Sequence, residues 1–198
     1  MQNKEEYVKT FMIDHFVPAL RRVLLANEKM RGLFVRHYGN CCNQTALLSC
    51  MHLTRELPTY LWEMYEGLFQ IGEGRIIYFN HAWIYGINRM GLDKNLFLNL
   101  AEDGERITWE PVLENTYPEH CQHVWYAKEI NRRPMNWETV SKACIAFNTG
   151  EYYTGWSAKR LYDAVMQEVI DNPDADMSWY AELVQARVNE LRKRGFEI

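Results

Sequence analysis

Apolar residues recur at roughly one-turn intervals from the start of the chain. Tyr7, Phe11, Phe16, Leu20, Leu24 and Leu25 alternate with charged residues, which predicts a helix over 4–28. Pro18 falls inside it and is expected to split or kink it, because proline lacks an N–H and crowds the preceding turn. "RHYGN", 36–40, reads as a turn. Asn40 is a candidate N-cap for a helix over 41–56 that Pro58 stops. A second short helix is expected over 59–69, "TYLWEMYEGLF".

The pattern then changes. "RIIYFNHAWIYGIN", 75–88, is rich in β-branched and aromatic residues, lacks a helical charge pattern and predicts a strand. "RMGLDK" turns the chain, and "NLFLNLA", 95–101, is the second arm of a hairpin. "RITWEPVL", 106–113, is a third strand, which Pro111 assigns to a sheet edge. "CQHVWYAKEI", 121–130, is a candidate fourth. Helical spacing returns over 137–147, 157–170 and 178–194. Asn136, Ser157 and Asp176 or Ser178 stand as caps. Between the first two of these lies "NTGEYYTGWS", 148–157, read as a loop that either closes over a groove or packs Tyr152, Tyr153 and Trp156 against the core. Helices, then a small antiparallel sheet, then helices make an α+β fold in one domain, 1–198.

The chain has 198 residues, 47% hydrophobic and 24% charged, which suits one globular core. Aromatic residues reach 14%, enough for a broad aromatic core or an aromatic-walled groove. A net charge of −4 and a pI near 5.9 argue against nucleic acid as a partner. The only basic cluster, "RKRG" at 192–195, suits a helix C-terminus. The charged start carries no signal-peptide pattern, and no apolar run is long enough to span a membrane. Cysteines at 41, 42, 50, 121 and 144 form no CxxC pair and no disulfide framework, so a reducing, cytoplasmic setting is expected.

Candidate chemistry concentrates in "YGNCCNQTALLSCMHL", 38–53. If Asn40 caps the helix, Cys41 and Cys42 are its first two residues, where the macrodipole favours a thiolate. Cys42 projects onto the stripe of Ala46, Ser49, Cys50, Leu53 and Leu57, which predicts that it faces inward to the sheet. Cys41 projects onto Thr45, Leu48, His52 and Arg55, a more polar stripe. A helix N-terminus supplies only about 0.3–1 kcal/mol, rising to about 2. Lowering a thiol from pKa ≈ 8.5 to about 4 needs about 6 kcal/mol. A reactive cysteine here therefore demands a histidine. In "IIYFNHAWIYG", period-two alternation puts His81 on a face with Phe79, Trp83 and Tyr85. Asn99, opposite Leu96, Leu98 and Leu100 on the next strand, and Asp103 or Glu102 at its end, are candidates to orient the imidazole.

These residues resemble the transglutaminase-like branch of the papain-like cysteine hydrolases over about residues 36–103. Gly39, Cys42 and Ala46 stand where that family has a Gly, a helix-opening Cys and a small residue one turn on. "HAW", 81–83, matches its His-Ala-Trp strand. The resemblance implies a catalytic core over 36–103, with 136–198 as a helical part of the same domain. It implies Cys42 as nucleophile, His81 as acid/base and Asn99 or Asp103 as third member, acting on protein or peptide amides through a thioester. The Cys42 amide and Asn40 would serve the oxyanion, and no cofactor or metal would be needed. Three features depart from the pattern. A Gly two residues before the Cys would nominate Cys41, Asn43 replaces the usual Trp, and the acidic strand lacks the Asp-Pro-Thr-like ending, which leaves Asn99 and Asp103 level as third member. The alternative from another class is a catalytically silent protein-binding or inhibitor module on the same fold. "EHCQH", 119–123, is a weaker motif: His120, Cys121 and His123 lack the second ligand pair that a structural zinc needs.

Overall fold

A computed structural model describes residues 3–71, 77–91, 94–101, 107–113, 127–134, 137–142, 144–147 and 152–195. The fold is α+β. The N-terminal segment runs as α1 (Lys4–Phe11), a π-helical turn (Met12–Phe16) and α2 (Val17–Ala26). Pro18 sits in the first turn of α2, immediately after the π turn, in which the Val17 N–H reaches back five residues to the Met12 carbonyl. The proline thus changes the hydrogen-bond pattern without ending the helix.

A helix that the spacing did not predict, α3 (Glu28–Arg36), follows at once. Asn27 caps it, its side chain accepting from Lys29 and Met30 N–H, while Met30 and Phe34 form its buried stripe. It ends in a Schellman turn: Gly39 N–H donates to Phe34 O at 2.8 Å and Tyr38 N–H to Val35 O at 2.9 Å. Tyr38 and Gly39 both have positive φ, 53° and 77°. The turn aims the chain into α4 (Cys42–Glu56).

The stretch 59–69 is a strand, not a helix. β1 (Tyr60–Ile71) pairs antiparallel with β2 (Ile77–Asn88) along its whole length. Trp62 and Met64 bury on one face, which is period two; the long partner strand decides the conformation of a segment whose apolar spacing suits either form. β3 (Asn95–Asn99) and β4 (Thr108–Val112) extend the sheet, and β5 (Ala127–Pro134) closes its other side, in the order β4-β3-β2-β1-β5. β4 is at the edge, as Pro111 requires. Of the candidate strand 121–130, residues 121–126 lie outside the described residues.

The predicted helix over 137–147 reduces to one turn, α5 (Trp137–Val140), followed by β6 (Cys144–Phe147). The expected loop 148–157 instead carries β7 (Tyr152–Ser157), paired with β6 in a separate two-stranded sheet. "ACIAF" is a short apolar run of the kind that periodicity cannot assign, and pairing decides it. α6 (Ala158–Asp171) is capped by Ser157, as its position predicted. α7 (Ser178–Lys193) has Met177 at its N-cap, with Asp176 accepting from the Ser178 N–H.

α4 is the central helix. It lies on β1 and β2 on one side and meets α5 and α6 on another. Consequently both of its stripes are buried: Cys42, Ala46, Ser49, Cys50 and Leu53, but also Cys41, Thr45, Leu48 and His52. The "polar" stripe is a core stripe, because a helix between a sheet and a helical layer has no wet side until Arg55.

Candidate functional site

The two faces of the large sheet carry different residues. Trp62, Met64, Ala82, Ile84, Leu96, Leu98 and Trp109 join the core formed with α4 and the other helices, and Cys41 and Cys42 belong to the same core. Trp83, Tyr85, Phe97 and Val112, with Tyr65 against them, form a second, separate cluster. The register explains this. Tyr65 pairs with Trp83, Tyr85 with Phe97, and Gly67 with His81, so these positions share the face opposite Ala82 and Ile84.

His81 lies on that second face, its ring stacked 6.4 Å from Trp83. It is buried, and its Nε2 lies 3.0 Å from Asn99 Oδ1. An amide oxygen only accepts, so in this bond the imidazole Nε2 carries the N–H. Asn99 is thus the residue that orients His81. The other third-member candidate, Asp103, with Glu102, lies outside the described residues. The cluster at 119–123 lies outside them too, and among the described residues no group of three or more His, Cys, Asp or Glu side chains is arranged to hold a metal.

The cysteines stand on the other side of the sheet. Cys41, at the N-cap, is buried with its Sγ 3.4 Å from Thr45 Oγ1 within its own helix. Cys42 opens α4, and its Sγ is 3.9 Å from Asn43 Oδ1. Asn40 sits one residue further out than an N-cap. Its Oδ1 accepts from the Cys42 N–H at 3.2 Å, so the side chain proposed for an oxyanion hole is bonded to the amide proposed as its other donor. Cys50, one turn from Ala46, is enclosed. Burial pushes its thiol well above the ordinary range and the Glu63 carboxylate adds to the effect, so it stays protonated.

The structure therefore brings together His81 and Asn99, and separately Asn40, Cys41 and Cys42, with the sheet between the two groups. Replacing Asn99 by Ala should leave a buried imidazole N–H without its acceptor. About 1–3 kcal/mol of stability should be lost, read as a lower urea midpoint.

A site that the motif search did not single out surrounds His52. Its Nδ1 is 2.9 Å from the Tyr162 hydroxyl, and its ring lies 5.0 Å from Phe11 and 5.4 Å from Phe16. Burial lowers its pKa to about 4; Glu56 opposes this and Arg55 reinforces it. Its position on the supposed polar stripe concealed it. The available signal was a histidine one turn before Glu56, level with the aromatic stripe of the N-terminal helix. No protein-family model matches this chain, and no curated protein or solved structure does so either.

Proposed function

We propose that this chain is a protein-binding module, in which the cysteine, histidine and asparagine of the transglutaminase-like pattern serve packing and not catalysis. One observation carries the reading. The His81 ring stacks on Trp83, on the sheet face turned away from α4. A thiol–imidazole couple needs the two groups within about 3–4 Å. Cys41 and Cys42 instead sit in the core under α4, each beside an oxygen of its own helix. The helix N-terminus by itself supplies at most about 2 kcal/mol, short of the roughly 6 that a nucleophilic thiolate needs.

A cysteine-dependent hydrolase or acyltransferase is the second reading, favoured by the buried His81–Asn99 hydrogen bond, which suits an oriented base. Alkylation separates the two. On the binding reading, iodoacetamide at pH 6 modifies all cysteines slowly, and His81→Ala leaves every rate unchanged in the folded protein. A single fast cysteine, slowed at least tenfold by His81→Ala, establishes the hydrolase reading and overturns ours.

A further inference from the structure

The segment α1 and the π turn is seated by buried Val8, Met12 and Phe16, and three of its further contacts involve groups that can carry a proton. Phe11 and Phe16 pack on the His52 ring. The Tyr60 hydroxyl donates to Glu5 Oε2 at 3.2 Å. Lys4 pairs with Glu56 at 3.7 Å. We propose that His52 is an acid-sensitive latch whose protonation releases the N-terminal segment 4–16 from α4 and α6 while the sheet stays folded.

The chemistry lies in the hydrogen-bond relay. His52 Nδ1 and the Tyr162 hydroxyl share one hydrogen bond, and the hydroxyl also bonds Arg55. Protonation commits Nδ1 to donating and places a second cation beside Arg55, in a site walled by Phe11 and Phe16. The charged groups near the ring are Arg55 and Glu56 on α4 and Asp163 beside Tyr162 on α6, and the His15 ring lies 6.2 Å from Phe11 on the π turn. Arg55 is itself stacked over Trp137 of α5 at 4.9 Å, so it does not swing away. The surface uncovered is apolar: Phe11, Phe16 and the His52 side of α4.

The sign follows from linkage. His52 takes up its proton near pH 6.5 when released and near 4 when packed, so the released form binds more protons between those values. The packed form is fully favoured above pH 6.5 and loses ground by about tenfold per pH unit below it.

Hydrogen exchange read by mass spectrometry, corrected for intrinsic rates, tests this on the full chain at pH 7.5 and pH 5. Amides of 7–16 should lose at least tenfold protection at pH 5, with β1 and β2 unchanged. His52→Gln, which keeps an acceptor for Tyr162 and does not titrate, should abolish the loss. Should His52→Gln fail to fold, Tyr162→Phe serves: without the hydroxyl the neutral ring is less favoured, and release moves to higher pH. Unchanged protection over 7–16 at pH 5, loss shared equally by the sheet, or variants with wild-type pH dependence would each overturn the latch.

Discussion

Trp62→Ala should destabilise the protein by about 3–5 kcal/mol, the range for removing a large buried aromatic. Trp62 has no exposed surface, and its indole N–H donates to Leu57 O at 3.1 Å. That bond ties the C-cap of α4 to β1, at a carbonyl that also accepts from the Tyr60 N–H. The ring lies over Gly86 on β2, its register partner: a Cβ there would meet the indole at 2.7 Å. Gly86→Ala alone should therefore cost about 1–3 kcal/mol through overpacking. In the Trp62→Ala background it should cost nothing, because the cavity receives the methyl. Urea unfolding of the four variants gives the coupling directly. Additive effects of the two substitutions would show that the indole does not lie over Gly86.

Gly39→Ala should cost about 2–6 kcal/mol, from two separable causes. The residue holds φ 77°, where an L side chain is strained by about 1–3 kcal/mol. Its Cβ would also fall 2.6 Å from Tyr180 Cε2. That ring has little room to yield, since the Arg21 guanidinium lies over it at 3.9 Å and Arg21 is itself buried, donating to Ala101 O. Displacing the ring adds about 1–3 kcal/mol. Tyr180→Ala should remove the steric part and leave the backbone part, so the double variant loses less than the sum of the single ones. Full additivity would mean that the close approach of Tyr180 plays no role. The same glycine sets the turn into Cys41 and Cys42, and a shift there should appear as faster alkylation of Cys41, now 3% exposed.

The sequence by itself determined the mixed α+β order, a helix over most of 41–56, the β2–β3 hairpin, the edge position of β4 and the Ser157 cap. Each rests on a local rule: a period, a cap, a proline that cannot donate. It offered Asn99 and Asp103 alike as partners for His81, and the structure shows the bond to Asn99. It did not determine β1, β6 or β7, whose short or evenly apolar segments fit helix, strand or loop until a partner strand supplies the hydrogen bonds. It missed α3, where Gly32 weakens the helical pattern by about 1 kcal/mol and Asn27 restores it by capping. Only the tertiary structure decided which face of the sheet α4 covers. Alternation separates Ala82 and Ile84 from His81, Trp83 and Tyr85, but both sets are apolar or aromatic and both are buried. A strand buried on two sides carries no inside and outside in its pattern. The helix takes the face where Gly86 leaves room for Trp62 and where Ala82 lets the backbones approach, and that choice puts the sheet between the cysteines and the imidazole.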